Sequence, residues 1–78
     1  MGSSLFHKQR YNEALTILNE ALNFMPQDVG IHLNRGDTYR ELKRFNLALS
    51  DYHYALDLGG NATLIKARLS LTHYALGA

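Results

Sequence analysis

Four histidines are the residues of this 78-residue sequence most suited to catalysis or metal binding, because imidazole can hold a metal ion or transfer a proton near neutral pH. They are His7, His32, His53 and His73. No two of them are four residues apart, so no helix would present a His-x-x-x-His pair to a metal ion. Cysteine is absent, and no glycine-rich phosphate loop, nucleophile motif or pair of carboxylates appears. The sequence therefore predicts a protein that is not an enzyme and that binds no metal and no cofactor.

The basic residues are concentrated in one segment, which raises the question of nucleic-acid binding. This segment contains Arg35, Arg40, Lys43 and Arg44. Asp37 and Glu41 interrupt it, and the net charge of the whole chain is only +1, so we expect no nucleic-acid partner. No apolar run approaches the roughly 20 residues that cross a bilayer, and we expect no membrane partner. With 46% apolar and 19% charged residues, the chain has the composition of one small folded domain.

An internal repeat of 34 residues organises the chain. Residues at this separation share size and polarity in the pairs Tyr11 and Phe45, Asn12 and Asn46, Ala14 and Ala48, Leu15 and Leu49, Ala21 and Ala55, Leu22 and Leu56. Within each period the apolar residues recur at spacings of three and four, which is typical of amphipathic helices. The spacing predicts four helices, with the second over about 29–43 and the fourth over about 62–76.

Turn-forming residues separate the predicted helices. Pro26 cannot continue the first helix, and Asp28 can cap the second. Gly59 suits the left-handed position after the third helix, and Asn61 can cap the fourth. Around Arg44 there is neither glycine nor proline, so no turn residue marks the boundary between the second and third helices.

A short motif within the repeat resembles that of a known family. The motif is His32-x-x-Arg35-Gly36-x-x-Tyr39, followed by Ala48-x-x-x-Tyr52 and then Ala55. It resembles the tetratricopeptide repeat, a 34-residue pair of antiparallel helices called A and B. The sequence departs from the family pattern at His32, at Arg35 where Leu is usual, and at Gly60 where Pro is usual.

The resemblance implies an all-α protein, an α-α superhelix of antiparallel hairpins with four helices in the order B-A-B-A. Residues 1–28 would hold the end of one A helix and a full B helix, residues 29–62 a complete repeat, and residues 63–78 the A helix of a further repeat. The three parts would form a single domain, a fragment of a longer array. The small residues Gly36 and Ala48 would lie where helix backbones approach closely.

In this family the A helices line a concave groove that usually binds another protein. The resemblance places eight residues on the groove: Phe6, Leu33, Asn34, Asp37, Arg40, Leu64, Arg68 and Leu71. Some members grip the C-terminal carboxylate of a peptide with Lys, Arg and Asn side chains. Asn34 and Arg68 match two of those positions, whereas Leu64 replaces a Lys; an Arg can give a carboxylate two parallel hydrogen bonds. We therefore predict a non-catalytic adaptor or scaffold that binds a peptide or a partner helix.

An alternative function is that of a structural solenoid segment with no partner pocket of its own. Exposed apolar residues on the last helix would then favour self-association through the uncapped ends, as a homo-oligomer or a helix-swapped dimer. The resemblance also places His32 and His73 at packing positions that usually hold aromatic residues, so His73 is expected in the core. A cytoplasmic location is expected from the family and from the lack of a signal peptide after Met1.

Overall fold

The computed structural model describes the backbone of residues 3–77 and the side chains of residues 9–77. Its helices are α1 (Ser3–Phe24), α2 (Val29–Glu41), α3 (Phe45–Asp57) and α4 (Ala62–Gly77), and this part of the chain contains no strand. Connections of three or four residues join consecutive helices, which makes neighbouring helices antiparallel. None of the described helices combines the length and apolar composition needed to cross a membrane. The predicted all-α fold of stacked helical hairpins is confirmed.

Helix α1 is longer than the sequence predicts. The end of one A helix was expected before the B helix, but the structure has one continuous helix over Ser3–Phe24. No glycine or proline lies in this range, so no residue interrupts the helical hydrogen bonds. The helix ends just before Pro26, as predicted. The predicted groove residue Phe6 lies on α1, but its side chain is outside the described residues.

Two turns use the capping residues that the sequence predicts. The Ile31 amide donates a hydrogen bond to Asp28 Oδ1 at 3.0 Å, and the Leu64 amide donates one to Asn61 Oδ1 at 3.1 Å. Gly59 has a φ of 91°, the left-handed conformation expected of it. These short-range contacts start α2 and α4 and end α3.

The turn between α2 and α3 is closed by Lys43, which has a φ of 62°. Beyond it, the Arg44 amide donates to the Tyr39 carbonyl at 2.8 Å. After α3, the Gly60 amide donates to the Ala55 carbonyl at 3.1 Å in the same way. The two turns therefore share one hydrogen-bonding pattern. Lys43 adopts the left-handed conformation that this pattern requires, although this conformation costs a residue with a side chain about 1 kcal/mol.

The core lies between α2, α3 and α4. Its buried apolar residues are Ala48, Tyr52, Ala55, Ile65 and Leu69. Gly36 allows α2 to approach α3, because a Cβ atom at this position would lie 2.7 Å from Cε1 of Tyr52. A larger residue there would overpack the core at a cost on the order of 1–3 kcal/mol. The predicted role of a small residue at the helix contact is thus met by Gly36, and Ala48 is fully buried in the core.

Candidate functional site

A charged contact centred on Asp37 joins the two A helices, α2 and α4. Arg68 Nη1 donates a hydrogen bond to Asp37 Oδ2 at 2.5 Å, and the Tyr52 hydroxyl of α3 donates one to Asp37 Oδ1. Arg40 Nη2 lies 3.9 Å from Asp37 Oδ1. We call these four residues, Asp37, Arg40, Tyr52 and Arg68, the Asp37 centre. It ties three helices together on the face where the sequence predicts a groove.

Burial differs sharply among the members of the Asp37 centre. The Tyr52 side chain is fully buried, and this desolvation, together with the hydrogen bond to Asp37, raises the pKa of its hydroxyl. The hydroxyl therefore remains a hydrogen-bond donor at neutral pH. The side chains of Asp37 and Arg68 are 28% and 30% exposed, so water reaches both of them.

The structure brings the predicted groove residues of α4 onto one face. Leu64, Arg68 and Leu71 follow one another at spacings of four and three residues, which places them side by side on a helix. Leu64 is 42% exposed and Leu71 is 59% exposed. On α2, Asn34 is exposed, whereas Leu33 is half-buried and packs against the core. Leu33, predicted as a groove residue, therefore also contributes to the core.

A second polar cluster, which the sequence reasoning missed, surrounds Asp51 of α3. Arg35 Nε donates to the two carboxylate oxygens at 3.2 and 3.0 Å, and its Nη2 donates to Oδ1 at 2.7 Å. Arg35 Nη1 also donates to Asn19 Oδ1 of α1 at 2.9 Å, and His32 Nδ1 lies 3.5 Å from Asp51 Oδ1. Asp51 is only 4% exposed. We call Asp51, Arg35, His32 and Asn19 the Asp51 centre; it links α1, α2 and α3.

Two departures in the sequence could have indicated the Asp51 centre. Arg35 replaces the usual Leu of the family pattern, and Asp51 lies on the stripe of α3 that also carries Ala48 and Ala55. Two opposite charges at positions that face a core indicate a buried ion pair, because a single buried charge without a partner is very costly.

The three histidines with described side chains lie in different environments. His32 is buried, with Nε2 2.9 Å from the Pro26 carbonyl oxygen. His53 and His73 are exposed, so the expectation that His73 lies in the core is wrong. The physical reason is that no helix within the described residues covers that side of α4. Within the described part of the chain, no three His, Cys, Asp or Glu side chains are grouped so that they could hold a metal ion.

The fold defines the class of this protein as a short solenoid of helical hairpins. A family model described as TPR repeat matches residues 2–43, which is more than half of the chain. The chain belongs to the tetratricopeptide repeat family, whose members are generally protein–protein interaction modules.

Proteins with similar sequences occur in animals and bacteria. Human tetratricopeptide repeat protein 16 is 31% identical over 72 residues, covering 92% of this chain and 8% of that protein. The UPF0162 protein of Vibrio cholerae is 35% identical over 77 residues, covering 94% of this chain and 28% of that protein. Protein O-mannosyl-transferase TMTC3 of Mus musculus is 33% identical over 58 residues, covering 74% of this chain and 6% of that protein. The chain thus spans less than a third of each relative, and no solved structure gives a significant match.

Proposed function

We propose that this chain is a non-catalytic protein-binding module, an adaptor or scaffold segment, which docks an extended peptide or a partner helix between α2 and α4. The observation that carries the proposal is the arrangement on α4 of two exposed leucines, Leu64 and Leu71, on either side of Arg68. An apolar side chain of a partner could cover each leucine, while a polar group meets the charged centre between them.

Two guanidinium groups at the Asp37 centre can meet a partner that carries a carboxylate. Arg68 pairs with Asp37, while Arg40 Nη2 lies 3.9 Å from Asp37 Oδ1 and 3.8 Å from Glu41 Oε1, so a carboxylate of the partner would add to existing ion pairs. Arg68 is held in place by Asp37, so little side-chain freedom would be lost when a partner binds. Asn34, exposed on α2, can donate a further hydrogen bond from its amide. A peptide with a free C-terminus or an acidic side chain fits this chemistry.

A non-catalytic role is supported by the general function of the family as a protein–protein interaction module. The word transferase in the name of one relative describes that protein, of which the match covers only 6%.

The proposal is tested by fluorescence anisotropy with a labelled peptide library in which every sequence is made with a C-terminal carboxylate and with a C-terminal amide. We expect the carboxylate forms to bind more tightly. Leu71→Ser should weaken binding about tenfold, because it removes apolar contact worth about 1–2 kcal/mol. Asn34→Ala should weaken it by a smaller factor.

Met25→Ser is the matched control, since Met25 is 52% exposed in the turn between α1 and α2 and lies outside the groove. Its binding should equal that of the unmodified chain. The proposal fails if Met25→Ser and Leu71→Ser weaken binding equally, or if no peptide in the library binds.

A further inference from the structure

The 34-residue repeat allows the same face to be compared on two A helices. On α2, the face toward α3 carries His32 and Gly36, which are buried, and Tyr39, which is half-buried. One period later, α4 carries Lys66, Ser70 and His73 at the equivalent positions, and all three are exposed. We call Lys66, Ser70 and His73 the α4 stripe. In the described part of the chain, no helix lies over it.

The two B helices, α1 and α3, show the same contrast. On α3, Asp51 and Tyr52 are buried against α2. Their equivalents one period earlier on α1 are Ile17, which is 66% exposed, and Leu18, which is half-buried. Glu20, the equivalent of Tyr54, is also exposed. We call Ile17, Leu18 and Glu20 the α1 face. It is the surface that would receive an A helix if α1 packed as α3 does.

The α4 stripe and the α1 face are complementary when they are compared with the contacts between α2 and α3. In this comparison each α2 residue is replaced by its equivalent one period later on α4, and each α3 residue by its equivalent one period earlier on α1. The close contact between Gly36 and Tyr52 becomes Ser70 against Leu18. The A-helix residue is larger and the B-helix residue is smaller, so the summed size is kept.

A second pair is complementary in charge. The ring contact between His32 and Tyr54, with centroids 4.5 Å apart, becomes Lys66 against Glu20, which carry opposite charges. Leu69, the equivalent of Arg35, is only 8% exposed and already belongs to the core of its own copy, so it adds no contact between copies. The α4 stripe and the α1 face are therefore matched in size at one pair and in charge at the other.

We propose that the α4 stripe of one copy of this chain packs on the α1 face of a second copy, so that α4 and the partner's α1 reproduce the A–B hairpin packing of α2 and α3. The two surfaces differ, so the contact is head-to-tail. Each added copy leaves one free α1 face and one free α4 stripe, and the stack grows without closing. None of these residues belongs to the proposed peptide groove, so this association does not depend on peptide binding.

The first test measures the mass of the 78-residue chain by light scattering over a wide range of concentration. The mass of the unmodified chain should rise beyond that of a dimer. Ile17→Glu blocks the α1 face and Ser70→Glu blocks the α4 stripe, so each variant alone should be monomeric. An equimolar mixture should form a one-to-one heterodimer and nothing larger, because each variant supplies the surface that the other lacks.

Met25→Glu is the control, because it places the same charge at an exposed apolar position outside both surfaces, and it should associate like the unmodified chain. Circular dichroism should show unchanged helicity in all three variants, since Glu is compatible with exposed helix positions. A monomeric unmodified chain, or a mixture without heterodimer, would overturn the proposal.

The second test exchanges charges and does not depend on the apolar variants. Lys66→Glu and Glu20→Lys should each raise the dissociation constant several-fold, because like charges would then face each other. The double variant restores an opposite pair and should return the dissociation constant close to that of the unmodified chain. Association of the double variant no tighter than that of the single variants would contradict the residue pairing.

Discussion

The Asp51 centre and the Asp37 centre each join three helices through one carboxylate, but water reaches the two carboxylates to different extents. The Asp51 side chain is 5% exposed, whereas that of Asp37 is 28% exposed. Asp51 receives three hydrogen bonds from the single guanidinium of Arg35. Asp37 shares its oxygens between Arg68 and the Tyr52 hydroxyl. The first centre fixes helices to one another, while the second also presents charge at the surface of the proposed groove.

Burial makes the Asp51 ion pair costly to break. The hydrogen bond from Arg35 to Asp51 raises the pKa of the guanidinium above its ordinary value, so the guanidinium stays charged. If Arg35 is removed, Asp51 loses its ionic partner where little water can reach it, and if Asp51 is removed, Arg35 loses three hydrogen bonds. At Asp37, water can replace a lost partner, so the loss of stability should be smaller. The comparison therefore predicts a graded series of effects.

Asp51→Ala should have the largest effect. It takes the carboxylate away from Arg35, which keeps its hydrogen bond to Asn19 Oδ1, and should lower the free energy of unfolding by about 3 kcal/mol. This is the lower end for a broken buried pair, because the Arg35 side chain is 24% exposed. Urea denaturation followed by circular dichroism measures this loss. Asp57→Ala, on the exposed side of the same helix, is the control and should change stability by less than about 0.5 kcal/mol. Equal losses in the two variants would remove the distinction between the centres.

Tyr52→Phe should have an intermediate effect, about 0.5–1.5 kcal/mol, because it removes one hydrogen bond while Arg68 still pairs with Asp37. It should also change the dependence of stability on pH. Because the pKa of Tyr52 is raised in the folded chain, the unfolded chain releases this proton first, and stability falls as pH rises above the ordinary value of 10.0.

Denaturation on either side of pH 10.0 measures this second effect. The alkaline loss should be smaller in Tyr52→Phe and unchanged in Tyr74→Phe, since Tyr74 is 81% exposed. An alkaline loss that is the same in both variants would show that Tyr52 does not keep its proton through burial.

Arg68→Gln should have the smallest effect, about 0–1 kcal/mol, because the pair with Asp37 is partly exposed. Added salt should reduce this effect further, since ions screen exposed charges, but it should leave the loss caused by Asp51→Ala largely unchanged. Stability measured at low and high salt, with Lys66→Gln as the control on the exposed side of α4, tests the difference. A salt effect of equal size at Asp51 would contradict the comparison.

Helix boundaries were predictable because they depend on residues close together in the chain. Pro26, Asp28, Gly59 and Asn61 act on amides and carbonyls within a few positions, and their residue types indicate their roles. Lys43 is the exception, since its left-handed conformation is one that its residue type does not favour.

The environment of the histidines was harder to predict, because the repeat pattern gives a position without saying what covers it. His32 is buried, since α3 lies over that face of α2, whereas His73 occupies a packing position on a face of α4 that no described helix covers. Prediction of the core therefore succeeded where the neighbouring helix is part of the described structure.

Periodicity and residue type establish four helices, a 34-residue repeat and the family, because amphipathic spacing and small residues at helix contacts are properties of short stretches of chain. The partners of the charged side chains depend on the tertiary structure. Asp37 and Arg68 are 31 residues apart, and Arg35 and Asp51 are 16 residues apart. Whether such side chains meet depends on which helix faces touch and how the helices cross, which local spacing does not specify. For this reason Arg68, predicted as an anchor for a peptide carboxylate, proves to be already paired with Asp37 of its own chain.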